Sequence, residues 1–142
     1  IALQAGRPLL VIARDTEQVR ARNIAVAWKD TREARRALAD SLPLLKAAET
    51  VTVVTVATEV DQWVRASLTD VMAFLGAHGV EARPELIEGP DEHLALFGAL
   101  NNSDADLIVS GAYGHSRLRE WAFGGVTRSL LDETGRNRFM AS

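Results

Sequence analysis

The apolar positions of this chain follow two rhythms that take turns along its length. Short unbroken runs, LLVIA at 9–13, NIAVAW at 23–28, TVTVVTVA at 50–57 and ADLIVSG at 105–111, are separated by stretches in which apolar residues return every three or four positions. Unbroken runs of this length suit strands covered on both faces, while the wider spacing gives a helix one apolar stripe. In the first stripe Ala34, Ala37, Leu38, Ser41, Leu42 and Leu45 lie opposite Arg32, Glu33, Arg35, Arg36 and Asp40. The turn before it, KDT, offers Asp30 or Thr31 as a cap. Pro43 falls inside the pattern and lacks an N–H, which predicts a kink or loosening over 39–43.

A second stripe starts from Val60, runs through Val64, Leu68, Val71, Met72 and Leu75, and ends near His78 and Gly79. A short strand is expected at 83–87. Pro90 fits the first turn of a helix that carries Leu94, Phe97 and Leu100 to about Asn101. Val126, Leu130 and Leu131 mark a last helix, and NRFMAS is a short candidate for a final strand. Residues 1–22 read as one strand and a linker at 14–22, with a separate unit over 23–142. Strands alternating with helices indicate an α/β fold: a doubly wound, Rossmann-like, mostly parallel five-stranded sheet with helices on both faces.

Composition narrows the partners. The 142 residues carry a net charge of -3 and no cysteine. Disulfide and thiolate chemistry are excluded, and no global charge draws the chain to nucleic acid or anionic lipid. The apolar runs are far shorter than a membrane span. Arg7 and Pro8 argue against LLVIA as the core of a secretory leader, and a cytoplasmic setting is expected. A chain opening on Ile1 suggests that further residues preceded it. No metal site is expected, because HExxH is absent and the DEH run at 91–93 lacks a second histidine at helical spacing.

The chemistry concentrates in GAYGHSRLREWAFGGVTRSLL, residues 111–131, which holds four of the ten glycines. Gly111 and Gly114 follow a strand, and Gly124 and Gly125 precede a helix. In a parallel sheet, ligands sit beyond the carboxyl ends of the strands, and free N–H groups at a helix start favour an anion. His115, Ser116 and Thr127 add polar contacts, and Arg117, Arg119 and Arg128 add positive charge. The phosphate loop GxxxxGK[ST] and the dinucleotide fingerprint GxGxxG are both absent. Two readings stay open at this point: a cradle for a phosphate-bearing ligand, or glycines that serve only sharp turns.

GxxG, nine residues and GGVT, together with NIAVAWKDTREARRALADSLPLL, resemble the universal stress protein family over most of residues 23–131. The resemblance implies an adenine nucleotide alpha hydrolase-like fold whose members pair through their final strands and in many cases bind ATP. It implies that Gly111 and Gly114 wrap ribose and phosphates, with His115 and Ser116 beside them. Gly124, Gly125, Val126 and Thr127 would form the phosphate-binding helix start, and Ala27 and Trp28 would lie near the base. Two positions depart from the family pattern: Gly125 stands where a serine or threonine is usual, and Lys29 where many members carry aspartate. AGRPLLVIA resembles the last strand of a preceding domain, so the chain resembles the second domain of a tandem protein. The implied cofactor is ATP or ADP with Mg accompanying the phosphates. The implied partner is a second copy, or a preceding homologous domain, joined through edge strands. Three functions follow: an adenine-nucleotide-binding stress-response or signalling domain, a dimerisation or regulatory domain that binds no nucleotide, or a slow ATP hydrolase. The third lacks an evident water-activating base, and no catalytic residue is assigned.

Overall fold

A computed structural model of the chain describes residues 7–13, 17–111 and 136–141. Its elements in chain order are β1 (Leu9–Val11), β2 (Asn23–Ala27), α1 (Arg32–Ala47), β3 (Thr50–Ala57), α2 (Gln62–Ala77), β4 (Arg83–Glu88), α3 (Glu92–Asn101), β5 (Leu107–Gly111) and β6 (Asn137–Ala141). The helix expected around Val126 lies outside the described residues.

The strands form one sheet in the order β1-β6-β5-β2-β3-β4. The five strands from residue 23 onward are parallel, as the α/β reading requires. The strand expected in residues 1–22 joins the same sheet as a sixth member, antiparallel to β6, with Leu10 opposite Phe139. Chain order runs outward from β2 in one direction through β3 to β4, and in the other through β5 to β6. The reversal point of this doubly wound sheet therefore lies between β2 and β5.

Helices cover both faces. α1 and α2 pack with Ile24, Val26, Val53 and Val109 through Ala37, Leu38, Leu45, Leu68, Val71 and Leu75. α3 covers the opposite face, where Leu100 meets Ala25 and Ile108. Alternate residues of β2 thus face two apolar layers, so polar alternation would have buried unpaired polar groups. No helix among the described residues is long and apolar enough to cross a membrane.

Local chemistry sets the element ends. Thr31 caps α1 by accepting from the Ala34 N–H, while Asp30 instead accepts from Arg35. Gly79 adopts φ 76°, and the Val80 and Gly79 N–H groups donate to Leu75 and Gly76 carbonyls. This two-bond closure needs the left-handed conformation that glycine adopts without cost, and it ends α2 where the sequence predicted. Asp106 accepts from the backbone N–H groups of Arg22 and Asn23, tying the start of β2 to the start of β5.

Pro43 lies within a continuous α1, and the expectation for Pro90 is corrected. Pro43 and Ala39, whose carbonyl loses its helical partner, both lie on the exposed side, where water can satisfy that oxygen. Pro90 is not in the first turn of α3. The helix begins after Asp91, whose carboxylate accepts from the His93 and Leu94 N–H groups, and this cap fixes the start beyond the proline.

Candidate functional site

Because β2 to β6 are parallel, their carboxyl ends share one edge of the sheet: Ala27, Ala57, Glu88, Gly111 and Ala141 are the last residues of the five strands. At the reversal point, β2 delivers Ala27, Trp28 and Lys29 to this edge and β5 delivers Gly111. These four sequence-predicted site residues, far apart in the chain, are brought to one rim. Gly114, His115, Ser116, Gly124, Gly125, Val126 and Thr127 lie outside the described residues.

Gly111 has a packing role that sequence reasoning missed. A Cβ there would come within 2.7 Å of the Ala34 nitrogen and 2.9 Å of the Glu33 carbonyl carbon. The first turn of α1 therefore presses directly on the end of β5, and only a residue without a side chain lets the two backbones meet. One glycine of the motif is thus explained by helix-on-strand contact alone. Its position after an apolar run signalled a turn or a ligand, but nothing local to it named α1 as the neighbour.

Trp28 divides into two parts. Its backbone N–H donates to the Val54 carbonyl at 2.8 Å, extending the pairing of β2 with β3. Its indole is 8% exposed and donates to Ser67 Oγ of α2 at 3.0 Å, so the ring belongs to the core under α2. Burial is affordable for the indole because its single donor is satisfied.

Lys29 stands at the rim, and its ammonium meets Glu92 Oε2 at 3.0 Å. Glu92 sits in the first turn of α3, and its other oxygen accepts from the Thr58 N–H at 3.3 Å. One carboxylate thus joins the segments after β2 and β3 to the start of α3. Glu88 accepts in the same way from the Val60 N–H at 2.8 Å. On the β3–β4 side the rim is therefore fastened by carboxylates, and the lysine that departs from the family pattern is paired with one of them. The Lys29 side chain is 69% exposed, so the pair itself contributes little, roughly 0–1 kcal/mol. Glu92 carried no signal in the sequence, since its partner lies 63 residues away.

No family model and no curated protein matches the chain. Solved structures do. A universal stress protein from Archaeoglobus fulgidus DSM 4304 superposes with a TM-score of 0.72 at 20% identity, over 94% of this chain and 49% of that one. The chain thus spans about half the length of that relative. A universal stress protein family member from Burkholderia pseudomallei gives 0.57 at 24% identity, over 72% of this chain and 89% of that one. A universal stress protein in complex with cAMP gives 0.57 at 17% identity, over 87% of this chain and all of that one. The parallel sheet reversing between β2 and β5, with helices on both faces, is the fold of the universal stress proteins.

Proposed function

We propose that this chain is a universal stress protein domain that binds an adenine nucleotide, ATP or ADP, and serves in a stress response or in signalling. The nucleotide lies across the carboxyl edge at the reversal point. Ala27, Trp28 and Lys29 contribute main chain and one cation on the β2 side. Gly111, Gly114, His115, Ser116, Gly124, Gly125, Val126 and Thr127 surround the ribose and phosphates, and Mg accompanies the phosphates. The supporting observation is that the parallel pairing of β2 with β5 brings the Lys29 segment and Gly111 to the same carboxyl edge at the reversal point, where doubly wound sheets take their ligands. The structural neighbour that holds cAMP supports a nucleotide as the ligand class. The function operates in the cytoplasm in this reading.

Calorimetric titration with Mg-ATP, ADP and cAMP tests it. Saturable heat at one site per chain is expected for at least one adenine nucleotide. Flat titrations at millimolar concentration of all three would reject nucleotide binding.

A second reading, a pairing or regulatory domain that needs no nucleotide, is favoured by one feature. β1 lies antiparallel on β6, with Leu10 46% exposed at the outer side of the sheet. An apolar edge strand invites a further strand. In this reading a second copy, or a preceding homologous domain, continues the sheet beyond β1. Sedimentation decides it: association that is independent of ATP is expected, and a monomer at every concentration would exclude pairing between copies.

A further inference from the structure

The two carboxylates at the β3–β4 side of the rim do unlike things. Glu88 accepts from a backbone group, the Val60 N–H at 2.8 Å. Glu92 divides its oxygens: Oε1 accepts from the Thr58 N–H at 3.3 Å, and Oε2 accepts from the Lys29 ammonium at 3.0 Å. One partner of Glu92 is main chain at the end of β3, and the other is the tip of a long side chain. Exposure divides in the same sense, 31% for the Glu92 side chain and 69% for that of Lys29. The carboxylate is therefore the anchored member of the pair and the ammonium the movable one.

The backbone of Lys29 does not share this freedom. Its carbonyl accepts from the Thr31 N–H at 2.7 Å, in the turn that leads to the cap of α1. A change of partner is thus a swing of the side chain alone. An ammonium is a compact charge on a flexible four-carbon stem, and it exchanges one acceptor for another without the fixed geometry that a guanidinium demands. An exposed ion pair is also weak, so the exchange is shallow. A phosphate at this edge competes for the same ammonium. Glu92 opposes it in two ways, by occupying the cation and by adding a like charge beside it.

We infer that Glu92 is a resident competitor for Lys29: it lowers the affinity of the carboxyl edge for phosphate-bearing ligands, and binding of such a ligand moves the Lys29 ammonium from the Glu92 carboxylate to a phosphate oxygen. This rests on the reading of the β2–β5 edge as the place that receives the ligand. It adds a positioning residue on α3 that sets the strength of the site by acting through Lys29. Uncharged parts of a ligand are indifferent to it.

Calorimetric titration of Glu92→Gln with Mg-ATP, inorganic tripolyphosphate and adenosine tests the inference. Glutamine removes the charge and keeps an oxygen that can accept from the Thr58 N–H, so the fastening of β3 to α3 is retained. ATP and tripolyphosphate are expected to bind about threefold to fivefold more tightly, the range that release from an exposed pair allows, and adenosine is expected to be unchanged. In a Lys29→Gln background the same substitution is expected to gain no more than Glu88→Gln, which measures the general effect of one charge fewer at the rim. No gain, an equal gain for adenosine, or a gain that survives the loss of Lys29 overturns the inference. A measurement on the unsubstituted chain is independent of any variant: the Lys29 Cε–Hε resonance is expected to shift as tripolyphosphate or ATP saturates, and a resonance that stays in place overturns the exchange. ATP binding that ignores both residues would sink the exchange and leave the nucleotide reading standing. Tripolyphosphate binding with the expected dependence on both residues, matched by no greater affinity for ATP and none for adenosine, would uphold the exchange and reject the nucleotide. Flat titrations throughout reject both.

Discussion

β2 and β6 are both five-residue strands of one parallel sheet, yet they are built on opposite terms. β2 lies at the centre, paired on both sides, and places Ile24, Ala25 and Val26 at 2% exposure or less between two helix layers. β6 buries Asn137 and Arg138 at 3% each and has only the three-residue β1 on its outer side. One strand is held by apolar packing alone, while the other adds to the apolar contacts of Phe139 and Ala141 two buried polar groups that need partners. Asn137 has one, accepting from the Ala13 N–H at 3.0 Å, whereas Arg138 Nε has none among the described residues. Burial alone therefore does not measure how a strand contributes to stability; what it buries decides.

The contrast can be broken most strongly at the centre. Ile24→Ala removes a fully packed side chain between α1 and the sheet, and a loss of about 2–5 kcal/mol in denaturant unfolding is expected. A loss below about 1 kcal/mol would mean that β2 is less tightly enclosed than its burial indicates. At the end of β5, Gly111→Ala forces α1 away from the strand and is expected to cost about 1–3 kcal/mol. If it is neutral by the same measurement, the close approach to Ala34 is not maintained in solution.

The periphery is expected to respond locally. Asn137→Ala leaves the Ala13 N–H buried without its acceptor and is expected to cost about 1–3 kcal/mol. Amide exchange is expected to quicken at Leu9–Ala13 while the amides of β2 and β3 keep their protection. Uniform loss of protection would show that β1 is cooperative with the central strands. The smallest effect is expected at Lys29→Ala, below about 0.5 kcal/mol in stability because the pair with Glu92 is exposed. Its use is as a probe of the rim: the same variant weakens a phosphate-bearing ligand if Lys29 turns to it, and leaves affinity unchanged if the lysine stays with Glu92.

The alternating rhythms carried most of the architecture, because a strand covered on both faces and a helix covered on one impose different spacings on the same apolar residues. The runs at 23–28 and 50–57 and the stripe from Ala34 to Leu45 became β2, β3 and α1 with boundaries shifted by no more than a few residues. The cap of α1 was legible too, since Thr31 acts on the Ala34 N–H three residues on. The prolines were less so. Whether a lost N–H kinks a helix depends on which side faces water, and that follows from packing rather than from the stripe itself.

The candidate site was legible as a location and less so as a set of contacts. GxxG after a strand marks a carboxyl end, and the resemblance to universal stress proteins assigned the fold that the superpositions bear out. The sequence by itself determined the alternation of elements, the parallel sheet and the edge at which Gly111 ends its strand, because those depend on local periodicity and on handedness rules common to all α/β chains. Tertiary structure alone decided that Gly111 faces Ala34, that Glu92 reaches Lys29, that the Trp28 indole turns to Ser67 and that Asn137 reaches Ala13. Each of these joins segments distant in the chain, and the energy of such a contact depends on separation and burial, quantities that exist only once the sheet has brought the segments together.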